Sequence, residues 1–418
     1  MHKIMWCWFW LFIIGNVISI NQREHLCTPS KGQTALIIGQ DYHTIVNYTK
    51  AFNNKSPWAV MSYTALQSDT GSLQGLNEPI DYGTGVEWAS GLLNHFPNTG
   101  LQLGLYLVNE LDSVINGDLD YEIRKLIDYL AGELSTHQIY LRIGYEFDWP
   151  SNNYDPEKFI LAFKYIVDYF RISDLSTKHV NFVWHSSGFR LIRDKVEIPF
   201  HEFYPGSKYI DFCGTSLFQQ PFWCSEEGDP YNCRMDYVDE LAEFCKSEEI
   251  PIMICESTPI GGIIDEDDSD HGPNESGFSG STWSAWFLPV LSFIERHDVR
   301  LWSYIPCDWD SQAMYQFGGW GDSRIQSYPG VMKRWKEEVL KTDRYSWYNG
   351  ENPLDLCVDA VHNPIPHHNF WLITFIFVIF IVVIGIFLAP CLNDCCAFGH
   401  RRSGYTSIDG SEMLVTDL

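Results

Sequence analysis

Two apolar segments of the chain finish on a carboxylate. Residues 139–147 carry Arg142 and Glu146, with Asp148 directly after, and residues 251–257 carry Glu256 followed by Ser257-Thr258-Pro259. A pair of glutamates held at fixed separation suits cleavage of a glycosidic bond. One carboxylic acid protonates the leaving oxygen while a second carboxylate attacks or supports the anomeric carbon. Residue parity puts Arg142, Gly144 and Glu146 on one strand face, and Ile252, Ile254 and Glu256 on one face of the other strand. Gly144 then leaves room in the interior, and the charge of Arg142 keeps a neighbouring carboxylate ionised. A lone glutamate at a strand end is most often solvated or structural. It is the paired placement that lifts these two above that reading.

The elements that must position them alternate along residues 27–350. Short β-rich apolar runs occur at 35–41, 58–65, 101–107, 139–147, 180–186, 209–218, 251–257 and 299–307. Helix-like stretches separate them, among them 120–136, 156–172, 235–248 and 282–297, and Pro156 after Asp155 suits a helix first turn. Eight such units predict one α/β domain, a (β/α)₈ barrel. A doubly wound open sheet fits less well, since no Gly-rich phosphate turn follows the first run. Barrel enzymes place their sites at the C-terminal ends of the strands, where the fourth and seventh face each other.

Other residues at those ends are candidates to line a cleft. Trp184 and His185 end the fifth run, and Asp148 is placed to bind sugar hydroxyls or tune Glu146. Trp149, Phe222, Trp223, Trp309, Tyr315 and Trp320 fall in the loops after strands, where aromatic faces stack on sugar rings and indole N–H groups reach hydroxyls. Trp309 is favoured because it closes the eighth strand.

The run LRIGYEFDWPSNNYDPEKF (141–159) resembles the acid/base region of glycoside hydrolase family 26 and its relatives in clan A. The segments FVWHSS, YPGSKYIDFCGTSLF, ICESTP, YIPCDWD and WGDSR follow in barrel order, so the resemblance spans roughly residues 35–340. It implies Glu146 as acid/base and Glu256 as nucleophile of a retaining enzyme acting on a β-linked oligo- or polysaccharide. It implies no metal or organic cofactor. Tyr145 departs from the pattern, because family 26 mannanases usually carry His there. The alternative reading is a catalytically silent carbohydrate-binding barrel displayed as a surface receptor, and the presence of both glutamates disfavours it.

A formal net charge of -26 argues against a nucleic-acid partner. Residues 1–19 read as a signal peptide, with Lys3 before an apolar run and Val17-Ile18-Ser19 at the cleavage position. Residues 351–369 read as a stalk, and 370–389 as one transmembrane helix, uncharged over FWLITFIFVIFIVVIGIFL. Arg401 and Arg402 place residues 390–418 in the cytoplasm, giving a single-pass type I membrane protein with a lumenal or extracellular barrel. Asn47, Asn54 and Asn274 are N-glycan acceptors. Cys224 with Cys233, and Cys27 with Cys357, are the disulfide candidates. For Cys213, Cys255 and Cys307, inside apolar strands, a buried thiol is as good a reading. Tyr405 and Ile408 form a Gly-Tyr-x-x-bulky pattern like those of lysosomal membrane proteins, so the sequence predicts a sorting adaptor as partner and the lysosomal membrane or the cell surface as location. The acidic run 265–270 offers oxygen ligands to calcium but lacks the spacing of a calcium loop, so it reads as a solvated loop.

Overall fold

The structure is a computed structural model that describes residues 26, 28, 29, 31–218, 234–265, 281–341 and 343–346. All eight expected runs form strands of a parallel barrel: β1 (Thr34–Ile38), β2 (Ala59–Ala65), β3 (Gly100–Tyr106), β4 (Ile139–Ile143), β5 (Val180–Ser186), β6 (Phe212–Leu217), β7 (Ile252–Ser257) and β8 (Leu301–Tyr304). Each pairs with the next, and β8 closes on β1 with Ala35 opposite Leu301 and Ile38 opposite Tyr304. A two-residue strand, Tyr345–Ser346, adds to β1, and Ile80–Asp81 with Val86–Glu87 forms a small hairpin above β2.

Strands covered on both faces need continuous apolar sequence rather than alternation, and β1, β5, β6 and β7 are buried at every position. Two layers result. Inside the barrel sit Ile37, Trp58, Met61, Tyr140, Val183, Phe212, Met253, Cys255 and Leu301. Outside, Leu141, Ile143, Trp184, Cys213, Ile252 and Ile254 pack under the helices. The helix Pro156–Arg171 shows how the outer layer is built. Asp155 caps it by accepting from the Lys158 amide at 3.0 Å, proline opens it, and Phe159, Ala162, Phe163, Ile166, Val167 and Phe170 form one buried stripe. Each such phenylalanine stabilises the fold by roughly 1.5–3 kcal/mol through burial.

The choice left open for Cys213 falls to a disulfide. Cys213 of β6 is bonded to Cys245 of the helix Arg234–Ser247, which lies over the outer face of that strand. Cys255 and Cys307 are buried thiols. Cys27, Cys224, Cys233 and Cys357 lie outside the described residues, as do Asn274, Phe222, Trp223, Tyr405, Ile408, the signal segment, the stalk, the apolar segment and the tail. Among the described residues no helix is long and apolar enough to cross a membrane. Asn47, on the helix Tyr42–Ala51, and Asn54 are both exposed. Asp265 is not solvated: it is buried and accepts from the Gly330 and Val331 amides at 2.8 and 3.0 Å, holding the first turn of the helix Pro329–Arg334, while 266–270 lie outside the described residues.

Candidate active site

Glu256 ends β7, 7% exposed, and its carboxylate is ion-paired with Nη1 of the fully buried Arg142 on β4. Parity alone would have aimed it elsewhere, because Ile252 and Ile254 pack outside the barrel while Met253 and Cys255 pack inside. The β6–β7 register shifts at this point: Thr215 pairs with Ile254 but Ser216 pairs with Glu256. Cys255 is the extra residue, and the irregularity turns Glu256 into the mouth. Below it, Gln102 of β3 donates to the Cys255 carbonyl at 2.8 Å and accepts from Ser303 of β8 at 2.7 Å, bracing the barrel interior.

The guanidinium of Arg142 lies over the rings of Tyr63 (4.8 Å) and Tyr145 (5.2 Å). Two aromatic faces offset part of the cost of burying its charge. Gly104 makes the room: a Cβ there would sit 2.6 Å from Cδ1 of Tyr63 and 2.9 Å from Nη2 of Arg142. The phenols of Tyr63 and Tyr145 are held well above their ordinary range, by burial first and then by the charge of Glu256.

Glu146 does not lie on a strand. β4 ends at Ile143, and Gly144 (φ 55°) and Glu146 (φ 54°) turn the chain through left-handed conformations. Gly144 therefore does not face the interior; its Cβ would meet Phe159 at 2.9 Å and Leu107 at 3.4 Å in the outer layer. A left-handed glutamate costs on the order of 1 kcal/mol, and the surroundings hold it there. Asn152 donates to the carbonyls of Tyr145 (3.2 Å) and Glu146 (2.9 Å), the Trp149 amide also bonds the Glu146 carbonyl (2.9 Å), and the Phe147 amide bonds the His185 carbonyl (3.1 Å). The half-buried side chain of Glu146 accepts from Ser216 Oγ at 2.8 Å. Ser216 in turn lies 3.0 Å from Nε2 of His185, whose imidazole is kept neutral by burial and by the charge of Arg142.

The remaining candidates separate. His185 reaches the mouth, whereas Trp184 does not: it points outward, donates to the Phe203 carbonyl at 3.0 Å and stacks on Phe147 at 4.6 Å. Asp148 is fully buried and accepts from Ser186 Oγ, the Ser187 amide and Tyr237 Oη, so its carboxylate ties the turn to β5 rather than meeting sugar. Trp149 is 37% exposed against Phe189. Trp309 is buried at 2% and backs the half-buried Tyr315 and Trp320, which form the wall it was expected to form. Among the described residues no group of three or more His, Cys, Asp or Glu side chains is placed to hold a metal ion. Ser216, Tyr63, Gly104 and Asn152 went unnoticed in the sequence. For Ser216 a signal existed, since the run CGTSLF ends beside Glu256.

The chain is similar in sequence to known glycoside hydrolases. It is similar to a β-1,3-xylanase of a Vibrio species, 30% identical over 314 residues, which is 72% of this chain and 64% of that enzyme. A β-1,3-xylanase of an Alcaligenes species is 29% identical over 323 residues, 74% of this chain and again 64% of the relative. The chain spans 64% of the length of each of these two relatives. A modular endo-β-1,4-mannanase from Cellulomonas fimi aligns with TM-score 0.47 and 15% identity over 78% of this chain and 75% of its own. No family model matches.

Behind Tyr63, Glu87 of the hairpin is 1% exposed and accepts from Ser62 Oγ (2.9 Å) and the Tyr63 amide (3.0 Å). Burial pushes its carboxyl well above the ordinary value of 4.5, against the pull of the Ser62 hydroxyl. The folded state therefore holds this proton more tightly than the unfolded chain. The stabilising contribution is complete below about pH 4.5 and is lost as pH rises through the folded value. Glu87→Gln replaces the protonated acid with an uncharged amide that keeps an acceptor for both donors. Its melting temperature should gain on wild type steadily from pH 4.5 to 8 and match it below; scanning fluorimetry curves that stay parallel over that range would contradict the assignment.

Proposed function

We propose that the chain is a retaining β-glycosidase in which Glu256 is the nucleophile and Glu146 the acid/base, acting on a β-linked xylan-type polysaccharide, β-1,3-xylan first. What carries the reading is the unlike setting of two facing carboxylates. Glu256 is ion-paired with the buried Arg142 guanidinium, and Glu146 accepts from a neutral hydroxyl at the end of a rigid turn. Glu256 attacks the anomeric carbon as Glu146 gives its proton to the departing oxygen, leaving a glycosyl ester. Glu146, now a carboxylate, takes a proton from water, and that water's oxygen displaces Glu256 from the anomeric carbon. The substrate is taken from the activity that the Vibrio and Alcaligenes relatives are named for.

The catalytic test uses purified protein on β-1,3-xylan, β-1,4-xylan and β-mannan. β-1,3-Xylan should be cut fastest, and proton NMR should show a first-formed product of retained configuration. Glu256→Ala should abolish turnover on every substrate. Glu146→Ala should lose about 10²–10⁴-fold on poor leaving groups, far less on activated aryl glycosides, and regain rate with azide. An inverted product, or full activity in either variant, would overturn the assignment.

We further propose that the barrel works on the lumenal or outer side of a membrane, tethered by the segment 370–389 and sorted through Tyr405 and Ile408. Support comes from the uncharged apolar run, the arginines after it and the exposed acceptors Asn47 and Asn54. Protease added to intact cells or sealed vesicles should spare the barrel if it is lumenal, and Tyr405→Ala should move the protein to the cell surface. A barrel digested from the cytosolic side would exclude this topology.

A further inference from the structure

The bond between Ser216 and Glu146 is one link of a chain that begins at His185. Nε2 of His185 is 3.0 Å from Ser216 Oγ, and Ser216 Oγ is 2.8 Å from Oε1 of Glu146. A serine hydroxyl has one proton to give. With that proton on the carboxylate, the histidine must be the donor to Oγ, so its hydrogen sits on Nε2. The other ring nitrogen agrees: Nδ1 of His185 is buried without a hydrogen-bond partner, and an unpaired buried lone pair is tolerated better than an unpaired buried N–H. His185 cannot easily swing away, since its ring lies against Tyr145 at 6.4 Å with the planes 27° apart, and Tyr145 lies against Arg142.

We propose that Ser216 is a positioning residue for Glu146: its hydroxyl, oriented by the Nε2–H of His185, keeps Oε1 of Glu146 as an acceptor and so assigns the transferable proton to Oε2. The inference rests on Glu146 being the acid/base and deepens that reading. The device has two effects. It fixes which carboxyl oxygen presents the proton to the leaving group, and it stabilises the carboxylate that must exist in the second half of the reaction. A fixed donor lowers the acid's pKa relative to the same site without it.

The groups around Glu146 allow this effect to be isolated. Among the described residues they include Tyr145 of the same turn, Cys255 of β7 and Tyr315 of the loop after β8, with His185 of β5 reached through Ser216 and the Arg142–Glu256 pair beside Tyr145. Arg142 stays charged and His185 neutral, while burial pushes the phenols and the Cys255 thiol up, out of the working range. Glu256 is the other carboxyl placed beside Cys255, Tyr145 and Tyr315, and a Glu256→Gln background removes its charge.

The experiment is a carbon-13 NMR titration of protein labelled at glutamate side-chain carboxyls, with the Glu146 signal assigned by its loss in Glu146→Gln. In Ser216→Ala the Glu146 midpoint should rise by about one pH unit, the scale expected for one donor to a charged acceptor. It should rise both in the wild-type and in the Glu256→Gln background. Ser216→Thr, which keeps the hydroxyl, should restore it. The basic limb of kcat/KM should move up with the midpoint, and kcat should fall on poor leaving groups while activated aryl glycosides are spared. Should Ser216→Ala fail to fold, Ser216→Thr and His185→Phe decide: the first must titrate like wild type and the second must shift upward. A midpoint that stays put or falls in a folded variant overturns the proposal. A shifted midpoint in a protein that cleaves no glycoside would instead sink the proposed function and leave the hydrogen-bond chain standing.

Discussion

The site is organised around one buried positive charge. Arg142 has no exposed surface, and Glu256, two phenol rings and the space left by Gly104 all serve to keep it there. Taking a guanidinium out of water is expensive, and removing the partner of a buried ion pair costs about 3–5 kcal/mol because the remaining charge is stranded. Arg142 and Glu256 therefore fix each other across the mouth, from β4 to β7. Burial keeps His185, the neighbour of Ser216, neutral, and the same charge adds to that effect. A single cation thus separates the two glutamates chemically: one is tied to it directly, the other is reached through neutral groups.

The barrel supplies rigidity at both positions by different means. Glu256 stays in the β ladder, re-aimed by the register shift and braced from below by Gln102 and Ser303. Glu146 leaves the ladder and is fixed by a left-handed turn whose carbonyls are claimed by Asn152 and Trp149. The adjacent Asp148 anchors that turn to β5 and to Tyr237, which explains why a third carboxylate sits so close without belonging to the chemistry. Trp309 plays the same supporting part for Tyr315 and Trp320 on the opposite wall.

Much of this was legible in the amino-acid sequence, and the failures share a physical cause. Continuous apolar runs of strand length located all eight barrel strands, because strands buried on both faces can be little else. The two terminal glutamates stood out for the same reason. Strand parity placed Arg142 correctly but misplaced Gly144, and it reached the right outcome for Glu256 for the wrong reason, since Ile252 and Ile254 face outward and only the extra residue Cys255 reverses the alternation. Backbone irregularities have no periodic signature. Trp184 and Asp148 were candidates by proximity to the strand ends, yet a one-residue step moves a side chain to the other side of the barrel wall. The Cys213–Cys245 bond depends on which helix covers β6, a tertiary fact.

The proposed mechanism requires that Glu256 form a covalent bond to sugar. It is tested most directly by incubating the protein with an activated 2-deoxy-2-fluoro-β-xylobioside, whose fluorine slows breakdown of the ester more than departure of the good leaving group. Mass spectrometry of the intact protein and of its peptides reads the result. One fluoroxylobiosyl group should be added per chain, located on the peptide that holds Glu256 and absent from Glu256→Gln. Label on any other carboxylate, or none in a preparation that turns over xylan, would contradict it.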